Sequence, residues 1–206
     1  MKGGNNPLFY KNFEREINQK KYNRTSDNKL MFDLVDNFQD YVISLLKNSN
    51  KNSLKKFIQN KTVADAGSGI GKFLSFISFY KPKKIISIEP DNELMNKQKE
   101  FAKCIFPFLP NKKMCHNIEF YLETMENFID KNIPIDTICF FQSWHYMDFN
   151  YISKNTDSDM IFFTKTGLPF NIYDNLTATG YKIYDEINFV SERTEKDYFL
   201  LLAKKA

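Results

Sequence analysis

Cysteine is scarce in this chain of 206 residues: Cys104, Cys115 and Cys139, with no CxxC spacing. An odd, scattered set builds no disulfide framework and suits a reducing compartment, so an intracellular, cytoplasmic location is expected. Cys115 stands beside His116, one of only two histidines. Structural zinc wants four ligands at recognisable spacing, and no metal is expected from this pair. Long apolar runs are missing as well. No segment approaches the roughly 20 residues a membrane helix needs. The opening "MKGGNNPLFYKNF" lacks the apolar stretch of a secretory signal. No membrane partner is expected. A strong charge of one sign is also lacking, with 29 Lys and Arg against 25 Asp and Glu. A net charge of +4 gives weak support to a nucleic-acid partner. There is no internal repeat and no long low-complexity linker, and the length fits one domain.

Against these absences, the chain has clear texture. Residues 1–26 are polar and basic, with aromatics at Phe9, Tyr10, Phe13 and Tyr22, and read as a flexible arm or lid. Leu30, Met31, Leu34, Val35, Phe38, Tyr41, Val42, Leu45 and Leu46 then recur at spacings of three and four, which predicts an amphipathic helix. A short helix is expected around Leu54, Phe57 and Ile58. From Thr62, buried strands ("TVADAG", "KIISIEP", "NIEFYLE", "IDTICFFQS", "DMIFFTK") alternate with helical stripes. The segments "YKIYDEINF" and "YFLLLAK" follow as an antiparallel closing pair. The expected fold is α/β: a Rossmann-like open sheet of about seven strands, mostly parallel with an antiparallel last strand. Helices cover both faces. Residues 1–60 form an arm and helical cap, and residues 61–206 form the sheet domain.

The densest signal is "VADAGSGIGKF", where Gly67, Gly69 and Gly71 fall within five residues and Asp65 precedes them. A phosphate P-loop, GxxxxGK[ST], would need glycine at Ala66 and a hydroxyl at Phe73. Both positions fail. A dinucleotide fingerprint, GxGxxG, would put its third glycine on Lys72. Asp65 would also face a pyrophosphate of like charge. A ligand with a cationic head and no phosphate fits better. Its amino group wants an acid, its carboxylate wants backbone N–H donors at a helix start, and its nucleoside needs backbone bare of Cβ atoms. S-adenosylmethionine is such a ligand.

A strand, an acid, GxGxG and a helix in that order resemble the first motif of class I S-adenosylmethionine-dependent methyltransferases. The resemblance covers residues 62–206 and implies a Rossmann-like fold and methyl transfer. S-adenosyl-L-methionine would be the cofactor and S-adenosyl-L-homocysteine its product. It implies that Asp65, Gly67, Ser68, Gly69 and Gly71 hold the methionine part. Glu89 with Pro90, at the end of the second strand, would take the ribose hydroxyls. Glu123, Thr124 and Met125, after the third strand, would flank the adenine.

Acceptor chemistry is expected after the fourth strand, in "FFQSWHYMD". Gln142 and Ser143 can hydrogen-bond the cofactor or the acceptor. Trp144, the only tryptophan, and Tyr146 suit an aromatic wall. His145 is the candidate base for a hydroxyl or amine acceptor, with a packing role as its alternative. The proline-rich [DNS]PP[YFW] motif of base- and glutamine-methylating relatives is absent. A ribose-methylating Lys-Asp-Lys-Glu set is incomplete: Lys29, Lys165 and Glu192 are in plausible places, but the acid is missing. Lys165 remains a candidate for substrate binding. The expected function is methyl transfer to an oxygen or nitrogen acceptor, a small molecule ahead of RNA or protein. A non-catalytic subunit that binds the cofactor is the alternative.

Overall fold

A computed structural model describes residues 51–71, 73–105, 117–164, 168–190 and 197–206. The expected arm and the helix over residues 30–46 lie outside the described residues. So do Lys29, Lys72, Cys115, His116, Lys165 and Glu192. In chain order the elements are α1 (Lys51–Ile58), β1 (Thr62–Ala66), α2 (Leu74–Phe79), β2 (Lys84–Ile88), α3 (Asn92–Ile105) and β3 (Ile118–Tyr121). There follow α4 (Met125–Ile129), β4 (Thr137–Phe141), a 3₁₀ turn (Trp144–Tyr146), α5 (Phe149–Lys154) and β5 (Asp159–Thr164). The chain closes with α6 (Phe170–Ala178), β6 (Tyr181–Val190) and β7 (Asp197–Lys205).

The strands form one sheet in the order β3-β2-β1-β4-β5-β7-β6. β1 through β5 pair in parallel, and β7 runs antiparallel to both β5 and β6. Parallel strands covered on both faces read as near-continuous apolar runs, which is why "TICFF" and "DMIFFT" are buried end to end. Successive side chains still alternate between two cores. Val63, Ile85, Cys139, Phe141, Ile161 and Phe163 join α1, α2 and α3 on one face. Ala64, Ile86, Ile138, Phe140, Met160 and Phe162 join α4, α5 and α6 on the other.

The cap boundary at residue 60 separates neighbours that share a core. Leu54, Phe57 and Ile58 of α1 pack in the first cluster. Thr137 Oγ1 at the start of β4 donates to the Phe57 carbonyl, 2.5 Å away. Helices α4 and α5 were not foreseen. They hold five and six residues, too few for a stripe to show. Their caps are legible in hindsight: Thr124 Oγ1 accepts from Asn127 N, and Asp148 Oδ1 from Tyr151 N.

Candidate functional site

Strand order reverses between β1 and β4, with β2 and β3 added on one side of β1 and β4 and β5 on the other. Loops leaving the carboxyl ends of these strands part there and leave a crevice, the usual ligand position in open α/β sheets. The structure has a cavity of about 280 Å³ at this place. Gly67 and Gly69 line it from the loop after β1, and Glu89 and Pro90 from the end of β2. Thr124, Met125 and Glu126 come from the start of α4, and Gln142, Ser143, Tyr146 and Met147 from the segment after β4.

The three glycines serve different needs. A Cβ on Gly67 would lie 2.7 Å from Met147 Cε and 2.8 Å from Ser143 Cβ, so glycine lets the two loops close on each other. Gly69 has φ +55° and nothing within 4 Å of its missing Cβ, so it presents left-handed, bare backbone to open space. Gly71 is a packing glycine: a Cβ there would meet Gln98 Cγ of α3 at 2.6 Å. It does not line the cavity.

Glu89 holds this loop in place. Its Oε2 accepts the Gly69 N–H at 2.7 Å, and its Oε1 accepts the Asp91 N–H at 3.0 Å. The side chain is 5 % exposed, yet it reaches the cavity wall with lone pairs to spare. Beneath the loop, Gln98 Nε2 donates to Ser87 Oγ, which donates to Ser68 Oγ at 2.8 Å. Ser68 N and Oγ both reach the Ile88 carbonyl. Ser68 is therefore committed to holding the loop and does not line the cavity.

Asp65 is the anomaly. It is 1 % exposed and sits in β1 in register with Ser87 of β2 and Cys139 of β4. Neither carboxylate oxygen has a hydrogen-bond partner. Burial, with repulsion from Glu89 added, pushes its pKa from 3.8 up to about 8. Its charge in turn adds to the burial that raises the Cys139 thiol well above its ordinary value.

Several expected site residues are placed elsewhere. The Glu123 carboxylate is engaged by Lys131 Nζ at 2.6 Å and does not line the cavity; Glu126 of α4 does, while also accepting the Asp148 N–H at 2.7 Å. Trp144 packs against the second core, its Nε1 buried without a partner. His145 is exposed and off the cavity wall, with its ring 3.9 Å from that of Tyr146. Tyr146 stands at the mouth, 81 % exposed. Leu94, Glu126 and Met147 also line the cavity, beyond the residues expected from sequence. Met147 belongs to the segment after β4 in which acceptor chemistry is expected. Leu94 and Glu126 carried no signal, being ordinary helix residues in sequence. Among the described residues there is no cluster of metal-ligating side chains, and no helix is long and apolar enough to cross a membrane.

No protein-family model matches the chain, and no curated protein matches it in sequence. Solved structures do match in shape. An rRNA methylase from Streptococcus thermophilus superposes with TM-score 0.54 at 14% identity, over 75% of this chain and 92% of that one. The described part has the class I methyltransferase fold. The chain is similar in the same way to M. capricolum TrmK in complex with S-adenosylhomocysteine, with TM-score 0.57 at 17% identity. That match spans 75% of this chain and 66% of the other. It is also similar to a precorrin-6y C5,15-methyltransferase from Geobacter metallireducens, with TM-score 0.53 at 13% identity, over 75% and 86% of the two chains.

Proposed function

We propose that this class I chain transfers a methyl group from S-adenosylmethionine to an oxygen or nitrogen acceptor. The observation that carries the reading is the bare backbone of Gly67 and Gly69 at the strand reversal, braced by a buried Glu89. The cofactor supplies an electrophilic methyl on a sulfonium. The protein's task is to bind, orient and exclude water. Glu89 has acceptor capacity left for two ribose hydroxyls. Pro90, Leu94, Thr124 and Met125 suit the flat face of an adenine. Asp65, beneath the loop, lacks a hydrogen-bond donor that an ammonium can supply. The cofactor bound to TrmK is of this chemistry.

The acceptor side is the segment after β4. Gln142 directly follows that strand with φ +59°, and its backbone N–H is fixed on the Phe163 carbonyl at 2.8 Å. Among the described residues, the other left-handed non-glycine positions, Asn60, Lys81 and Asn132, follow helices, where such a conformation caps the end. Gln142 has no such reason, and it lines the cavity. Strain at a ligand-facing position supports a role in positioning the acceptor. A small molecule is our first choice of acceptor. The solved neighbours include an rRNA methylase and a precorrin methyltransferase, so the fold admits either class.

Two measurements test the reading. Calorimetry should show S-adenosylhomocysteine binding one site per chain; no binding at millimolar ligand overturns the proposal. Labelled methyl from S-adenosylmethionine should then enter the small-molecule fraction of a cell extract. Label in RNA or protein would move the acceptor class, and label nowhere, with binding intact, would make the chain a cofactor-binding subunit.

A further inference from the structure

Two stretches far apart in sequence share the cavity wall, and Glu126 joins them. Thr124, Met125 and Glu126 belong to the start of α4, and Ser143, Tyr146 and Met147 to the segment after β4. The 3₁₀ turn of that segment rests on two bonds. Tyr146 N–H donates to the Ser143 carbonyl at 3.0 Å and Met147 N–H to the Trp144 carbonyl at 3.3 Å. Turns of this kind have poor hydrogen-bond geometry, so pins at their ends matter. The near end is pinned to the sheet, where Gln142 N–H donates to the Phe163 carbonyl and Ser143 Oγ to the Ala66 carbonyl. The far end is pinned to α4: the Asp148 N–H donates to Glu126 Oε1 at 2.7 Å. Asp148 is the N-cap of α5, and its N–H has no partner inside that helix. In a capping box a Glu or Gln three residues on would reach back to it. Here that position is Tyr151, whose hydroxyl donates to Asp130 instead, and Glu126 of the neighbouring helix takes the N–H.

Glu126 is half-buried and lines the cavity, so water competes for its carboxylate while the site is open. A nucleoside lying on the start of α4 excludes that water. A hydrogen bond to a charged acceptor gains strength as its surroundings dry. We propose that Glu126 is a positioning residue for the acceptor side: it latches the segment after β4 to the cofactor-facing wall, and a ligand on that wall tightens the latch and orders residues 142–147. This rests on the cofactor reading above, which puts the adenine beside Thr124 and Met125. Glu126 acts through the Asp148 backbone and takes no part in the transfer itself.

Trp144 is the only tryptophan, and it lies inside the latched segment. It does not line the cavity, so a ligand cannot shield it by contact. The test measures acrylamide quenching of its fluorescence in the full chain, with and without S-adenosylhomocysteine, and affinity by calorimetry. In the parent, saturating ligand should cut the quenching constant by about twofold or more, the mark of a segment made rigid. Glu126→Ala should keep its affinity within about fivefold, and its Trp144 should be quenched equally with and without ligand. Glu126→Gln keeps an oxygen acceptor and should restore most of the response. Asp148→Pro removes the N–H and leaves Glu126 in place, a second route should Glu126→Ala fail to fold. The backbone already suits it: Asp148 has φ −75°, and Met147 before it is extended at φ −123°, ψ 153°. That variant should also lose the response. Asp148→Ala, which loses the cap on Tyr151 N but keeps the N–H, should retain it. A merely structural Glu126 would lower the thermal midpoint of Glu126→Ala and leave the ligand response in place. A response in Glu126→Ala and Asp148→Pro equal to the parent's, or none in a parent that binds ligand, overturns this inference and leaves the cofactor reading intact. Absence of ligand binding by the parent overturns both.

Discussion

Gly67 and Gly69 are two residues apart and have nearly equal left-handed φ, yet replacing them has different consequences. Forcing a Cβ into that conformation costs about 1–2 kcal/mol at either position. At Gly67 the Cβ also collides with Met147 and Ser143, whose Oγ is tied to the Ala66 carbonyl and cannot easily move. Gly67→Ala should therefore lower the thermal midpoint clearly more than Gly69→Ala. At Gly69 the new methyl enters open space, so that variant should stay folded and lose S-adenosylhomocysteine affinity by about tenfold or more. Equal midpoints for the two variants would contradict the close approach of the loops after β1 and β4. His145 gives a third residue-level outcome. It is exposed, off the cavity wall, and its ring lies against those of Tyr146 and Trp144. His145→Ala should reduce methyl transfer only a few-fold. A general base contributes about 10²–10⁴-fold, so a loss of that size would restore it as the base.

At the scale of elements, strands were the most legible part of the sequence. All seven were expected from apolar, β-branched and aromatic runs, and each is found with its ends moved by a few residues. Burial on both faces makes such runs conspicuous. The short helices were hidden, because α4 and α5 are held by tertiary packing and single capping side chains. The same contrast divides the site. Gly67, Gly69 and Glu89 stand out in the sequence because backbone geometry and strand ends constrain residue type, and all three line the cavity. Leu94 and Glu126 were not, since nothing in a helical sequence says which turn will face a cavity. Glu123 is expected beside the adenine, but an acid after a strand can serve a salt bridge as readily as a ligand, and here it pairs with Lys131 and is not on the cavity wall. The interior of β5 shows what carries the sheet. Phe162 is fully buried, stacked on Phe140 at 4.9 Å between ring centres and edge-on to Phe149 of α5 at 5.4 Å. Phe162→Ala should cost about 3–5 kcal/mol, read as a fall in the denaturant midpoint at constant slope. A cost below about 1 kcal/mol would mean that this core refills easily and does not hold α5 against the sheet.

For the whole molecule, the buried carboxyl of Asp65 ties stability to pH. The folded chain holds its carboxyl proton up to about pH 8, while the unfolded chain releases it near 3.8. Between those values the unfolded state binds fewer protons, so ionisation favours unfolding and stability falls as pH rises. The slope from this one group is roughly 1 kcal/mol per pH unit, and it ends once the folded carboxyl also ionises. Below the lower value both states are protonated and the effect vanishes. Asp65→Asn removes the titration while keeping the volume. The variant should match the parent near pH 4 and exceed it near pH 7.5, where each 1 kcal/mol gained raises the thermal midpoint by about 2–4 °C in a chain of this size. Saturating S-adenosylhomocysteine should reverse the ranking near pH 7.5, since a bound cation stabilises the carboxylate of the parent and has nothing to pair with in the variant. Thermal melts of both proteins, with and without ligand at the two pH values, measure all of this. A variant no more stable than the parent near pH 7.5 would mean that the carboxyl is not held neutral in the free protein. The fold would then carry no penalty at Asp65 for a ligand to relieve.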